Sequence, residues 1–337
     1  MQQRRLGSQG LVVSSIGLGT MGMSGVAGMQ DMYGPADEAE GIATIRRALE
    51  LGVTFFDTAQ VYGPNHNEEL LGRALAGRRD DAIIATKFGF RIVDGKIAGV
   101  DSRASNVRAA LEGCLQRLGT DHIDLWYQHR LDRSVPIEET VGVMAEQVHA
   151  GKVRFLGLSE IGVETLRRAH RVHPITAVQS EYSLWERNLE APSPNGGPSV
   201  VDACRELGIG IVPYSPLGRG FLTGTVPRAA ELPERDYRRG DPRYQGDNYD
   251  ANQRLLEAVK VVATRRATTP AQVALAWLLH RGPNIVPIPG TKQRKYIEAN
   301  AAAADLALDA ADLATLDAAG VAVGARYNDR AMATIDR

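Results

Sequence analysis

The sequence predicts an α/β protein whose eight strand–helix pairs close into a (β/α)8 TIM barrel. Three observations carry that prediction. Short apolar runs alternate with longer runs of helical period, and eight of each can be counted. The pairs recur at a spacing of about 40 residues, which suits a closed barrel better than an open sheet. No low-complexity segment or flexible linker divides the chain, so residues 1–337 are expected to form one domain.

In chain order, an N-terminal β-hairpin is expected at 4–13, ahead of a first strand at 15–18. The following GLGTMG places Gly17, Gly19 and Gly22 at dinucleotide-fingerprint spacing, but the run continues as MSGVAGMQDMYGP instead of opening a helix. A flexible loop is the better reading. Asp37 caps a helix at 37–51 and Gly52 stops it. VTFFD supplies a strand at 54–57 before a helix at 67–77, and AIIATK a strand at 82–87 before a helix at 103–119 closed by Gly119. Strand 123–129 leads to helix 138–150, closed by Gly151, and strand 153–159 to helix 162–172. Strands 177–180, 210–214 and 285–288 pair with helices 198–207, 270–281 and 292–304. Two additional helices, 251–266 and 309–319, exceed the eight pairs. The Gly-, Pro- and Arg-rich stretch 217–249 is expected to be a loop covering the active-site face.

Composition excludes several functional classes. With 39 Lys+Arg against 40 Asp+Glu, the chain has no long-range field to attract nucleic acid or an anionic membrane. The longest nearly apolar stretch, 271–279, is under half of the roughly 20 residues a membrane span needs. The first residues do not read as an export signal, and Cys114 and Cys204 fall on amphipathic helices, so a reducing cytoplasm is expected. His170 and His173 lie on one helix face but lack a third ligand, and no metal is expected.

The chemistry concentrates at strand ends. Asp57, Lys87 and His129 end three successive strands, whose carboxyl ends face one mouth in a barrel, and Tyr62 lies in the adjoining loop. A lysine after the apolar run AIIAT needs a partner, and Asp57 can supply it. The ammonium should lower the Tyr62 hydroxyl from its ordinary value, while His129 donates a hydrogen bond to a substrate oxygen. This set suits protonation of a carbonyl oxygen, with hydride drawn from a cofactor. Tyr127 should pack inside the barrel and Trp126 against the helices. Met21, Met23, Met29 and Met32 either form an adaptable apolar pocket or pack the loop after the first strand.

These segments resemble the aldo-keto reductase family over nearly the whole chain: FFDTAQVYGPNHNEELLGRAL, ATKFG, DLWYQHR, GLSE, VQSEYSLWER, PYSPLGRGFLTG and PIPGTK occur in the family's order. The resemblance implies a nicotinamide-dependent barrel reducing small aldehydes or ketones, with Asp57, Tyr62, Lys87 and His129 as catalytic tetrad and Tyr62 as general acid. It also implies cofactor contacts at Gly19, Thr20, Met21 and Asp57, at Ser159 and Gln179 beside the carboxamide, and at Tyr214 against the nicotinamide ring. Ser215, Pro216, Leu217, Gly218, Arg219 and Gly220 would line the pyrophosphate, and Gly290, Thr291, Lys292, Arg294 and Asn300 the adenosine end. The cations Lys292 and Arg294 favour NADPH over NADH. Ala299 and Tyr296 depart from the family's pattern at one adenine and one phosphate contact. Two other readings compete: a nucleotide-binding regulatory barrel like channel-accessory subunits, with little turnover, and a Schiff-base lysine at Lys87, which leaves the basic block near Lys292 idle.

Overall fold

The computed structural model describes residues 1–29 and 31–336, so residues 30 and 337 of the expected domain lie outside the described residues. β1 (Gln3–Arg5) and β2 (Val12–Ser14) form the N-terminal hairpin. β3 (Leu18–Gly19), β4 (Phe55–Asp57) and β5 (Ile83–Phe88) follow, then a second hairpin of β6 (Phe90–Val93) and β7 (Lys96–Val100) that the sequence reading left unassigned. β8 (Ile123–Gln128), β9 (Val153–Ser159), β10 (Ala177–Glu181) and β11 (Gly210–Tyr214) complete a seven-stranded sheet in the order β11-β10-β9-β8-β5-β4-β3. All its pairings are parallel.

Closure comes from the segment expected as an eighth strand at 285–288, which here makes only isolated bridges at Ile285 and Gly290. Toward β11 it donates normally, from Val286 to the Ile211 carbonyl (2.9 Å) and from Ile288 to the Pro213 carbonyl (3.0 Å). Toward the first strand it only accepts, at the Pro287 carbonyl from Gly17 (2.9 Å) and at the Pro289 carbonyl from Gly19 (3.2 Å). Proline has no N–H to return, so half of that ladder is missing and the regular strand is interrupted. The same asymmetry moves the first strand from the expected 15–18 to β3. Gly17 serves this seam, since a Cβ there would lie 2.8 Å from Phe55 and 2.9 Å from Ile288.

The helices are α1 (Glu38–Glu50), α2 (His66–Ala74), α3 (Ala104–Leu118), α4 (Ile137–His149), α5 (Val163–Val172) and α6 (Val200–Leu207). They continue with α7 (Gly246–Arg265), α8 (Pro270–His280), α9 (Arg294–Ala302), α10 (Ala310–Ala318) and α11 (Asp329–Met332). The Asp37 side chain accepts from the Glu40 N–H at the start of α1, and Gly119 takes the left-handed conformation after α3, as their residue types predict. The long cover expected at 217–249 ends at Gly246, where α7 begins, and short 3-10 turns organise the rest of it. Thus α7 starts five residues before the expected 251, while α10 lies inside 309–319 and α11 is an extra turn.

The two larger of the apolar clusters lie inside the barrel and between the sheet and the helices. Leu6, Leu11, Phe55, Ala85, Leu125, Tyr127, Val212 and Ile288 fill the barrel, with the N-terminal hairpin plugging the end opposite the strands' carboxyl ends. Trp126 belongs to the outer compartment between sheet and helices, so the alternation expected for Trp126 and Tyr127 holds.

Candidate active site

Asp57 is the last residue of β4, Lys87 the penultimate residue of β5, and His129 follows β8 directly. These are neighbouring strands, so ends far apart in sequence meet over one mouth. The loop carrying Tyr62 is fixed twice: its N–H bonds the Ala59 carbonyl (3.0 Å), and the residue bridges Val26 in the loop after β3. All four side chains are buried, Lys87 completely.

The Lys87 ammonium is the hub. It donates to Asp57 Oδ1 (2.5 Å), the Thr58 carbonyl (2.8 Å) and the Tyr62 hydroxyl (3.4 Å). Gln179 Nε2 holds the other Asp57 oxygen at 2.7 Å. The Tyr62 and His129 rings meet edge to face at 6.0 Å. The structure thus brings together the four chemical residues expected from the sequence and sets Gln179 against Asp57, a contact the sequence did not indicate.

Electrostatics here are set by burial against pairing. Burial works to lower Lys87, but Asp57 and Tyr62 raise it above its ordinary value, keeping it a cation. Burial raises Asp57, with Lys87 and Gln179 opposing. His129 is pushed well below its ordinary value by burial, then by Arg130 and Lys87, so its imidazole is neutral. The expected lowering of Tyr62 is reversed: burial raises it, although Lys87 and Arg130 pull downward.

Beside this centre lies a buried polar cluster the sequence reading missed. Arg326 from the C-terminal tail forms a two-pronged pair with Glu160, and donates to Glu181 (2.7 Å) and the Tyr214 hydroxyl (2.6 Å). Arg219 joins Glu181 (2.9 Å) to Asp241 (2.5 Å), and the Tyr327 hydroxyl meets that of Tyr214 at 2.9 Å. Burial pushes Glu181 upward, but Arg219 and Arg326 hold it at about 2. Glu160 directly follows β9 and Glu181 ends β10, strand-end positions comparable to that of Lys87, which was the available signal.

The remaining residues of the expected cofactor contacts are held by their own neighbours. Thr20 donates to the Asp57 carbonyl (2.8 Å) with Met21 next in chain, and Gly19 bridges Gly290. Ser159 Oγ accepts from Arg130 (3.3 Å). Across 215–220, Ser215, Gly218, Arg219 and Gly220 have positive φ, with Pro216 and Leu217 between them. Left-handed non-glycine residues persist only where their surroundings hold them, and such turns gather backbone N–H groups around anions. The Arg219 side chain itself is turned inward onto its two carboxylates. Lys292 donates to the carbonyls of Tyr33, Gly34 and Pro35, and Arg294 pairs with Glu40 (2.9 Å). Thr291 is buried beside them, as is Asn300 on α9. Met23 and Met32 are buried while Met29 is exposed, which divides the loop methionines between packing and surface. His170 accepts from the Ile175 N–H, an ordinary helix-end role.

Comparison with known proteins agrees with this geometry. Residues 15–320 match the model of the Aldo/keto reductase family. The chain is 44% identical over 331 residues to a Glycine max protein described as "Probable aldo-keto reductase 1", covering 97% of this chain and 92% of that one. Among solved structures it resembles a glycerol dehydrogenase from Gluconobacter oxydans (TM-score 0.83, 28% identity, 94% of each chain). It also resembles the holo form of an aldo-keto reductase from Bacillus halodurans (TM-score 0.77, 28% identity, 98% of this chain and 99% of that one).

Proposed function

The chain belongs to the aldo/keto reductase family, and from that premise we propose that it reduces small aldehydes or ketones to alcohols with NADPH. The observation that carries this reading is the Lys87 ammonium held between Asp57 (2.5 Å) and the Tyr62 hydroxyl (3.4 Å), with neutral His129 alongside. NADPH, when bound, supplies the hydride. Tyr62 gives its proton to the substrate oxygen as negative charge builds there. Lys87 stabilises the phenolate left behind, because an adjacent cation favours the charged form. Asp57 keeps Lys87 charged and aimed, and Gln179 keeps Asp57 aimed. A neutral imidazole retains one N–H, which His129 offers to the substrate oxygen, in addition to the proton donor.

The residues present suit the cofactor. The positive-φ run at 215–220 supports a pyrophosphate cradle, and Ser159, Gln179 and Tyr214 would hold the nicotinamide end. α9 starts with Arg294 and Lys295 and has no acidic residue in its own first turn; the carboxylate at its N-terminus is Glu40 of α1, which accepts the Arg294 N–H (3.0 Å) and pairs with its guanidinium. A 2′-phosphate would take the place of that carboxylate, with Lys292 and Arg294 exchanging their present partners for it. The chain works in this reading as one domain and without a metal. Two buried free thiols, Cys114 and Cys204, suit the cytoplasm, and among the described residues no helix is long and apolar enough to cross a membrane.

The test is NADPH oxidation with aromatic aldehydes, α-ketoaldehydes and ketones, comparing wild type with Tyr62→Phe. Wild type should turn over. The variant should still bind NADPH but lose at least about 100-fold in kcat, the scale of a lost general acid. Undiminished turnover by Tyr62→Phe would remove Tyr62 from the mechanism, NADPH binding without turnover by either form would favour a regulatory barrel, and a lower KM for NADH than for NADPH would remove the phosphate argument.

A further inference from the structure

Arg130 follows His129 directly at the mouth of β8. Its Nη1 donates to the His129 carbonyl (2.7 Å) and Ser159 Oγ (3.3 Å), and its guanidinium lies 6.0 Å from the Phe90 ring centre. Phe90 in turn stands edge-on to the His129 ring at 4.8 Å. Arg130 is therefore seated against the wall that flanks the tetrad. Its Nε is buried and has no hydrogen-bond partner.

Three buried arginines offer an informative contrast with Arg130, which is only partly buried. Arg219, Arg243 and Arg326 are each held by at least one buried carboxylate. Among the described residues, no carboxylate lies within 4.0 Å of Arg130. Glu160 is the carboxylate whose field reaches it, yet both Glu160 oxygens are engaged by Arg326, and one also accepts the Glu181 N–H. A guanidinium offers five donors in a fixed fork; Nη1 makes two hydrogen bonds here, and leaving the buried Nε without a partner is unfavourable. At the reacting end Lys87 is neutralised by Asp57, and His129 is uncharged. Among the described residues, Arg130 is a cation there with no carboxylate partner.

We infer that Arg130 is a specificity residue that binds a carboxylate on the carbonyl substrate, so that short oxo-acids are the preferred substrate class. The inference rests on the reductase reading above. The cofactor pyrophosphate is a poorer match for this guanidinium, because the residues expected to cradle it follow β11, three strands from β8 around the barrel. A carboxylate a few bonds from the carbonyl would take the open edge of the fork and leave the carbonyl oxygen to Tyr62 and His129. Phe90 would cover the short chain between them.

The experiment compares 4-oxobutanoate with butanal, matched in chain length, in wild type, Arg130→Met and Arg130→Lys, with thermal melting as the check on folding. Wild type should favour the oxo-acid in kcat/KM by about tenfold or more, the range of a charge-assisted hydrogen bond. Arg130→Met should abolish that ratio chiefly through KM, and Arg130→Lys should restore part of it. A ratio near one in wild type, or a ratio unchanged in Arg130→Met, overturns the inference. Calorimetric titration of succinate into the full-length protein provides the second reading. Binding weakened about tenfold in Arg130→Met supports the carboxylate site, and no binding to wild type overturns it. If neither aldehyde is reduced, the reductase reading fails while the succinate titration still decides the carboxylate site.

Discussion

Lys87 can remain charged inside an apolar barrel because its three protons are directed at Asp57, the Thr58 carbonyl and Tyr62, leaving no obvious donor wasted. Removing the cation therefore harms two properties at once. Lys87→Met should lower kcat by at least about 100-fold, because Tyr62 loses the charge that stabilises its phenolate. It should also lower stability by about 3 kcal/mol, the cost of leaving one partner of a buried pair alone. Steady-state kinetics and urea denaturation separate the effects, and Lys87→Met with Asp57→Asn should recover stability without activity. Failure of the double variant to recover would mean that Asp57 is held mainly by Gln179. The Lys87 group was legible in sequence because a charge after AIIAT demands a partner. Arg130, Glu160 and Glu181 carry the same signature at their own strand ends. Their meaning was hidden because the partner that organises the two glutamates, Arg326, lies in a tail with no strand or helix period to mark it.

At the scale of elements, that tail is a strap across the barrel mouth. Val323 is paired with Asn252 of α7 through its N–H (2.7 Å), Arg326 closes on Glu160 and Glu181, and Asp336 accepts the Gly162 N–H (3.0 Å) beyond β9. The strap holds the Tyr214 hydroxyl through Arg326 and Tyr327. Arg326→Met should destabilise the protein by about 3 kcal/mol in urea, since it strands buried Glu160 and leaves Glu181 to Arg219 alone. It should also raise the Kd for NADPH, read by fluorescence, if Tyr214 serves the nicotinamide end. An unchanged denaturation midpoint would show that the strap is an ornament. Other elements followed from their residues unequally. Helix ends were readable because Asp37 and Gly119 act locally. The β6–β7 hairpin had a readable signal in Asp94–Gly95, both with positive φ, between apolar runs. The eighth strand was the hardest, because a one-way ladder against Gly17 and Gly19 is decided by which neighbour each proline faces, and sequence alone does not contain that neighbour.

The whole molecule should carry its buried charges into its acid stability, in two steps of known sign. His129 is held well below its ordinary value by burial, and burial also lowers His170. The unfolded chain therefore binds protons near pH 6.5 that the folded chain refuses, and stability falls as pH drops below that value. The second step is carried by lowered carboxylates, among them Glu138, which Arg168 holds at about 2, and Glu181, which Arg219 and Arg326 hold at about 2 against its burial. The Glu181 contribution is present above the unfolded value near 4.5 and disappears as pH falls toward about 2. Glu160 is lowered in the same sense, with Arg326 overcoming burial, whereas Asp57, raised by burial, acts with the opposite sign in this range. Urea denaturation across pH should show a decline beginning near neutrality and a steeper one in strong acid. His129→Asn should flatten the first decline and leave the second, and Glu181→Gln should lessen the second and leave the first, at the cost of lower stability at neutral pH. A first decline that survives His129→Asn undiminished would mean that this imidazole takes up its proton in the folded barrel. The neutral N–H donor assigned to it would then give way to an imidazolium at mildly acid pH, visible as a matching inflection in the pH profile of kcat.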